Sequence, residues 1–228
     1  FVHSQDISDK NCLEQNTTPT PNTAPYFQST LTEKKPFKNI KKQIAIASLA
    51  KQSQKKFSIE QTNKSIQGDI LHDCIFYIIS FNCFNIKKIN QFLIHLPLFR
   101  QLKKENQTNV LRNIQQLTQS THIKTYSTLN FTCEASISFE DETHTLFGRV
   151  DGLCIKQSTA IILEIKTDKT PSMDQLKQKY EQQLRTYAYC LLQNKSITNI
   201  EIHLYSTHLN KETIINYNKK NTPLLLVK

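Results

Sequence analysis

Two acidic residues and one lysine lie where a predicted β-hairpin would bring them together. A turn at Gln157 and Ser158 joins two strand-like segments, and the resulting register pairs Asp151 with Glu164. Directly opposed residues of a hairpin have Cβ atoms about 4.5–5.5 Å apart. Two carboxylates at that distance in apolar strands repel each other unless a cation lies between them. The sequence therefore predicts a site for a hard divalent cation, magnesium or manganese, because these ions prefer oxygen ligands.

Lys166 lies two residues after Glu164, so its side chain projects from the same face of the strand. An ammonium group beside two metal-bound carboxylates suits hydrolysis of a phosphodiester. The metal would orient and acidify a water, and the lysine would hold that water or neutralise charge on the transition state. A salt-bridge ladder on an exposed edge strand is the alternative interpretation, although the segment AIILEIKT is more apolar than a typical solvated edge.

Glycine is scarce in this chain, and its positions are informative. Only Gly68, Gly148 and Gly152 occur; two of them flank Asp151, and the third lies four residues before His72. Glycine lets the backbone come close to another group, since it has no Cβ. The pattern indicates close backbone approach at both places, with chance clustering as the alternative.

The elements that would position these residues follow from apolar periodicity. Helix is predicted for residues 65–83, for residues 86–120 with a break at Pro97, and for residues 173–193. Strands are predicted for the segments TLNFTCEASISF, HTLFGRVDGLCIK, AIILEIKT and IEIHLYST. This order predicts a mixed α/β core with an antiparallel hairpin in the middle.

Composition divides the chain into three parts. Residues 1–35 are polar and rich in proline and threonine, which predicts a disordered arm or linker. Residues 36–64 form a lysine-rich basic segment, and residues 65–228 form the predicted folded domain. The net charge of the 228 residues is +10 and the pI is about 9.3. Such a charge favours a polyanionic partner, usually nucleic acid, although a merely solvated basic surface is about equally compatible with it.

Several classes of protein are disfavoured by what the sequence lacks. The six cysteines form no CxxC pair, which argues against a zinc ribbon and an iron–sulfur cluster and suits a reducing, cytoplasmic setting. No stretch approaches the roughly 18 apolar residues of a membrane span, so no membrane partner is expected. There is no GxxxxGKS or GxxxxGKT segment, so no ATP site is predicted in this chain.

Four motifs occur in an order that resembles a known nuclease family. GRVDG followed by LEIKT resembles the GxxD and (D/E)xK signature of PD-(D/E)XK nucleases. Upstream, Gly68 to His72 resembles the GxxxH helix of the RecB-like branch; downstream, YEQQLRTYA resembles its YxxQLxxYA helix. Glu134 matches an acidic residue often found in the strand before the hairpin. The resemblance covers roughly residues 65–210 and is greatest to the C-terminal nuclease domain of AddA-type helicase–nucleases.

This resemblance implies a restriction-endonuclease-like α/β core, in which helices flank a central mixed sheet. His72, Asp151 and Glu164 would be metal ligands, and the two carboxylates with Lys166 would form the catalytic set. Glu164 departs from the aspartate that this branch most often has before the lysine dipeptide. The residues that would lie on a helix facing the site, and bind DNA or support the site, are Gln183, Tyr187 and Tyr180.

The implied activity is magnesium-dependent hydrolysis of DNA phosphodiesters by an exonuclease that acts on single strands or frayed ends. The implied role is in double-strand-break repair and recombination, together with a helicase subunit or a helicase domain missing from this chain. The basic, proline-containing start of the chain would then be the linker from the motor. Because the chain begins with Phe1 and not with methionine, it is expected to be a fragment or a processed product.

Other interpretations stay open at this point. The domain could be a catalytically idle DNA-binding or scaffolding module with the same fold, although the intact set of Asp151, Glu164 and Lys166 argues against a decayed site. It could also be a nuclease associated with RNA or with a mobile element. His72 followed by Asp73 suggests an HD-type metal phosphohydrolase, but no convincing set of further ligands accompanies the pair. On spacing alone, a single histidine such as His72 is more often a core residue than a ligand.

Overall fold

The structure is a computed structural model, and it describes residues 42–47, 59–142 and 144–222. The predicted arm, residues 1–35, lies outside the described residues, as does most of the basic segment 36–64. The division of the chain at residues 35 and 64 stays a prediction.

Strands and helices alternate in blocks along the described chain. The helices are α1 (Ile59–Phe81), α2 (Ile86–His95), α3 (Pro97–Gln101), α4 (Lys104–Gln119), α5 (Thr121–Tyr126) and α6 (Met173–Leu192). The strands are β1 (Lys42–Ala45), β2 (Thr132–Glu140), β3 (His144–Lys156), β4 (Thr159–Lys166), β5 (Asn199–Ser206) and β6 (Lys211–Asn218).

Most of these elements agree with the periodicity of the sequence. The predicted helices and strands are all present, and the predicted break at Pro97 is found where α3 begins. A second break, at Leu102 and Lys103, separates α3 from α4. Sequence reasoning missed β1, α5 and β6, which are short or strongly polar and therefore carry a weak periodic signal.

The sheet is mixed, and its order is β1-β3-β4-β5-β6 with β2 on the free side of β3. β3 pairs with β1 in parallel and with β2 and β4 in antiparallel fashion, whereas β4 and β5 are parallel. β2 pairs with β3 along one edge of that strand. Some of the same β3 residues pair on the other edge with β1 near its start and with β4 near its end, so β1 and β4 share that edge. β1 reaches Phe147 and β4 reaches Gly152, which leaves a gap in the ladder between these two residues of β3.

Helices cover both faces of the sheet, and the side chains of β4 alternate between the two resulting cores. Ala160 and Ile162 pack in a cluster with α6. Leu163 and Ile165 pack on the other side with residues of α1 to α5. A strand buried on both faces has an almost continuous apolar sequence, as AIILEIKT does. The predicted α/β architecture, a mixed sheet with an antiparallel hairpin and flanking helices, is confirmed.

Two further sequence predictions can be compared with the described residues. No helix among them is both long and apolar enough to span a bilayer. The five cysteines that they include are free thiols, and three of these are buried, as expected for structural thiols in apolar segments; Cys12 lies outside the described part.

Candidate active site

The hairpin of β3 and β4 has the register that the sequence predicts. Gln157 and Ser158 form the turn, with Gln157 in the left-handed region at φ 53°. Leu153 pairs with Ile162, and the ladder ends one pair further, at Gly152 and Leu163. Asp151 and Glu164 would be the next pair, but the two strands separate there, so the hairpin opens at the end away from its turn.

Asp151 takes over a backbone hydrogen bond where the ladder ends. Its Oδ2 accepts a hydrogen bond from the backbone N–H of Ile165 at 2.6 Å. Burial raises the pKa of the Asp151 carboxyl, whereas the nearby His72 side chain lowers it. The Lys166 ammonium and the Ile165 N–H act in the same direction as His72. Together they outweigh burial, so the net direction is downward and Asp151 stays ionised.

Glu164 is the most deeply buried charged group of the site. Only 1% of its surface is exposed, its Oε2 accepts a hydrogen bond from Lys166 Nζ at 2.6 Å, and its buried Oε1 has no hydrogen-bond partner among the described residues. Burial raises the pKa of the Glu164 carboxyl to about 7, with Lys166 opposing and Asp151 adding to the increase. Burial by itself would lower the pKa of Lys166, but Glu164 and Asp151 together raise it.

Helix α1 brings His72 to the same place. His72 Nδ1 lies 3.6 Å from Asp151 Oδ1. Burial lowers the pKa of His72, but the nearby Asp151 carboxylate raises it by more, and the net direction is upward. Gly68 lies one turn earlier on α1, and a Cβ there would be 2.9 Å from Thr167 Oγ1. The missing side chain therefore lets α1 lie against the end of β4, as the scarcity of glycine indicates.

The donor atoms of this site suit a hard divalent cation. Two carboxylates lie in a largely buried setting, and a carboxylate oxygen without any hydrogen-bond partner is unusual in a folded protein. Such an oxygen is accounted for if it binds a cation, and magnesium and manganese prefer oxygen ligands. Within the described residues, no three His, Cys, Asp or Glu side chains already converge as a ready metal cage. A bound cation would therefore share the Glu164 carboxylate with Lys166, which already donates a hydrogen bond to Oε2.

Helix α6 supports the hairpin from the other side. Gln183 Nε2 donates a hydrogen bond to the Tyr187 hydroxyl at 3.0 Å, and this hydroxyl donates to the carbonyl of Arg149 at 2.9 Å. Gln183 and Tyr187 are buried. A Cβ at Gly148 would lie 2.8 Å from Tyr187 Cε1, so glycine is needed for this close approach. The Tyr187 hydroxyl thus occupies the gap in the ladder of β3, two residues before Asp151, and neither side chain is placed to contact DNA directly.

Tyr180, one helical turn before Gln183 on α6, lies closer to the reactive groups. Lys166 Nζ lies 4.5 Å from the centroid of the Tyr180 ring, a cation–π arrangement. The Tyr180 hydroxyl donates a hydrogen bond to Asp168, which also forms an ion pair with Lys179 at 2.8 Å. Sequence reasoning missed Asp168 and Lys179. Asp168 lies two residues past Lys166, which is the one local signal that could have indicated it.

Glu134 lies next to the site, but its side chain points to a different partner. It forms an ion pair with Arg149 at 2.5 Å, on an exposed part of the surface. Its backbone is left-handed, at φ 54°, although the register of its neighbours Cys133 and Ala135 with β3 is continuous. Such a conformation costs a non-glycine residue about 1–3 kcal/mol and is concentrated at functional sites. By register Glu134 faces Asp151, so the ladder is perturbed on both sides of that residue.

Comparison with known proteins gives one significant relative in sequence. No family model matches the chain. The chain is 30% identical over 88 residues to an ATP-dependent helicase/nuclease subunit, the AddA type, of Streptococcus equi subsp. zooepidemicus (strain MGCS10565). The similarity covers 39% of this chain and 7% of that protein, so the chain corresponds to a small part of the relative's length. It confirms the resemblance to AddA-type helicase–nucleases that the motifs indicate.

Two solved structures are similar to the chain at low identity. The SSO0001 protein is 15% identical, with a TM-score of 0.34 over 79% of this chain and 68% of that one. A candidate exonuclease of Eubacterium rectale is 12% identical, with a TM-score of 0.44 over 75% of this chain and 63% of that one.

Proposed function

We propose that this chain is a magnesium-dependent nuclease that hydrolyses phosphodiester bonds in DNA, with its active site at the open end of the β3–β4 hairpin. The observation that carries this proposal is the buried Glu164 carboxylate, which has one oxygen without a hydrogen-bond partner among the described residues and lies beside Asp151 and Lys166. Burying two carboxylates costs stability unless cations or hydrogen bonds offset the cost, and a divalent cation bound by their oxygen atoms would do so.

In this proposal Asp151 and Glu164 hold the cation, and His72 completes the ligand set from α1. The bound cation would polarise a phosphate oxygen and lower the pKa of a coordinated water. Lys166 remains charged, because its carboxylate neighbours raise its pKa, and it donates hydrogen bonds to the attacking water or to the phosphate. Tyr180 holds the ammonium in place through its ring.

The wider role follows from the relative and from the charge of the chain. The relative is named as part of a helicase/nuclease, and the chain has a net charge of +10, which favours a polyanionic substrate. We propose that the chain acts as an exonuclease on DNA ends in double-strand-break repair and recombination. Its partner would be a helicase subunit or a helicase domain, and its site of action the cytoplasm.

The direct test is cleavage of end-labelled linear DNA by the full chain with and without magnesium. Asp151→Asn removes a charge but keeps an oxygen that can accept the Ile165 hydrogen bond, and Lys166→Met keeps the length of the side chain. Each is expected to reduce cleavage by about 10²–10³-fold, the usual effect of removing one stabilising group. The matched control is Lys156→Met, at the exposed turn end of the same hairpin. Equal cleavage by Lys166→Met and Lys156→Met would refute the proposed roles.

A second candidate function is a catalytically idle DNA-binding module. The absence of a converged three-residue metal cage among the described residues favours it. It predicts that the chain binds DNA with the same affinity in magnesium and in EDTA, and that no product appears at any metal concentration. Cleavage that disappears in EDTA and returns with magnesium excludes this alternative.

A further inference from the structure

An aromatic groove lies on the outer face of α1 and is not used by the proposed chemistry. Its volume is about 390 Å³, within the range of small-ligand clefts. The residues that line it are Asp73, Phe76, Tyr77, Ser80, Phe81, Phe92 and Leu96. Four of these seven side chains are aromatic, whereas aromatic residues make up 9% of the whole chain. A chance surface depression of this chain would therefore be expected to contain fewer of them.

One ring of this groove is exposed to solvent beside two rings that stack on each other. Tyr77 and Phe92 stack with centroids 4.3 Å apart and an interplanar angle of 13°, and Phe81 lies 5.1 Å from Tyr77. Phe81 is 71% exposed, and it is the most exposed large hydrophobic residue among those that the structure describes. Phe81 therefore offers exposed aromatic surface on which another flat ring can stack.

The groove is continuous with the candidate active site along α1. The Phe76 ring meets the His72 ring edge to face, with centroids 6.1 Å apart. Ser80, two turns beyond His72, lies 3.5 Å from Cys133, and Cys133 pairs with Gly152 beside Asp151. These contacts place the groove and the candidate active site along the same helix, so a DNA strand held in the groove would lie near the candidate metal ligands.

The charges around the groove suit a phosphate backbone with exposed bases. Lys87 and Lys88 are exposed in the first turn of α2. Lys88 lies one helical turn before Phe92 of the groove, so the two side chains are neighbours on one face of α2. Asp73 is the acidic residue of the lining, at the end near His72. A carboxylate there would repel phosphate but can accept hydrogen bonds from the amino groups of bases.

We propose that this groove binds unpaired bases of single-stranded DNA, which stack on Phe81 and its neighbours while the backbone follows Lys87 and Lys88. The inference rests on the proposed function, since it names the part of the substrate that the nuclease holds. Stacking of bases on aromatic rings is tolerant of sequence, because every base has a flat face. The groove would thus select single strands and frayed ends over intact duplex, whose bases are already stacked.

The test measures binding of the full chain in EDTA, so that cleavage plays no part. The probes are a fluorescent oligo(dT), an abasic strand of the same length, and a blunt duplex. Wild-type protein is expected to bind oligo(dT) about 10-fold more tightly than the abasic strand, as the stacking of one or two bases would give. Phe81→Ala and Phe81→Leu should lose this difference, and Phe81→Trp should keep it. The control is Phe147→Ala, which removes an exposed phenylalanine outside the groove.

The outcomes separate this inference from the proposed function. If Phe81→Ala binds all three probes as wild type does, the groove is not a base-binding site, even when the protein cleaves DNA in magnesium. If Phe81→Ala weakens oligo(dT) and the abasic strand equally, or if it dissociates a dimer, the groove serves the backbone or a second protein copy and the inference is wrong. Photo-cross-linking of an iodouracil oligonucleotide to wild-type protein should label residues 76–92, and labelling elsewhere would contradict it.

Discussion

The Lys166–Glu164 ion pair is buried, and its contribution to the stability of the fold depends on the charge of both partners. Only 13% of the lysine side chain and 2% of the glutamate side chain are exposed, and Asp151 adds a second negative charge. The pKa of Glu164 is raised to about 7, so the folded state binds its proton more tightly than the unfolded state does. The raised pKa therefore lowers the stability of the fold as the pH rises from the ordinary value of 4.5 to about 7, and the loss is complete above that range. Lys166 offsets this cost.

Removal of the Lys166 ammonium gives the first prediction. Lys166→Met should lower the free energy of unfolding by about 3–5 kcal/mol at pH 8, because an unpaired charge is left buried. The difference should shrink at pH 5.5, where Glu164 is protonated and neutral. Urea denaturation in EDTA at the two pH values measures the effect. A loss of stability of equal size at both values would contradict the assignment of Glu164 as the titrating group.

The Tyr187 hydroxyl gives the second prediction at this scale. Tyr187→Phe leaves the carbonyl of Arg149 and the amide of Gln183 without their shared partner, in a buried setting. Unfolding free energy should fall by about 1–3 kcal/mol. Cleavage should fall as well, since the backbone beside Asp151 loses its support. Tyr189→Phe, a half-buried tyrosine on the same helix, should change stability by less than about 0.5 kcal/mol. Equal effects of the two changes would refute the supporting role.

The contact between α1 and β4 determines whether His72 reaches the site. It depends on the absence of a side chain at Gly68, where a Cβ would be 2.9 Å from Thr167 Oγ1. Alanine is favoured over glycine inside a helix by about 1 kcal/mol, so the helix itself would gain from the substitution. The choice of glycine therefore reflects the position of the helix and not its stability.

A double-mutant cycle at this contact gives the third prediction. Gly68→Ala alone should displace α1 and reduce magnesium-dependent cleavage by about 10-fold or more, as small misplacements of catalytic groups do. Gly68→Ala with Thr167→Ala removes the clash, and this double variant should recover activity and gain up to about 1 kcal/mol of stability. Steady-state cleavage and thermal unfolding measure the two quantities. If the two substitutions are additive, the close contact does not position the helix.

At the scale of the whole molecule, a polar network connects the helical layer to the far edge of the sheet. His203 of β5 hydrogen-bonds Glu212 of β6 and, at 2.6 Å, Glu201 of its own strand. Glu212 also accepts a hydrogen bond from Tyr126 of α5 and lies 3.1 Å from His122 Nδ1. These contacts join residues that are 86 and 90 positions apart in the chain, so they can form only when the tertiary structure is complete.

The pKa of His203 gives the fourth prediction. Burial lowers it, but the hydrogen bonds to Glu212 and Glu201 raise it further, and the net direction is upward from the ordinary value of 6.5. A raised histidine pKa contributes stability that is fully present below the ordinary value and lost as the pH rises through the raised one. His203→Gln should therefore cost about 1.5–3 kcal/mol at pH 6 and clearly less at pH 9.

Urea denaturation of wild type and His203→Gln across this range checks the sign of the effect. His95→Gln serves as the control, because His95 is exposed at the end of α2. A cost that is larger at pH 9 than at pH 6 would mean that the neutral form of His203 stabilises the fold.

The hairpin of β3 and β4 and its register could be predicted from local sequence. A two-residue turn fixes the register of β3 against β4, and the alternation of a strand places Glu164 and Lys166 on one face, so local geometry brings these two residues close to Asp151. The positions of the glycines likewise indicated where elements approach closely. The hairpin depends on neighbours within about 15 residues, and for such distances periodicity and turn chemistry are sufficient. The partners that the glycines approach, such as Thr167 for Gly68, lie much further along the chain.

Contacts between elements that are distant in the chain could be known only from the tertiary structure. β1 pairs with β3 across about 100 residues, as between Lys42 and His144, and its own sequence carries too few apolar residues to indicate this. Residues from different elements are joined by the hydrogen bond that Asp151 accepts from the Ile165 N–H, by the one that Tyr180 donates to Asp168, and by the stacked rings of Tyr77 and Phe92. Which side chains meet across elements depends on how helices pack on the sheet, and packing depends on the shapes of all core residues together.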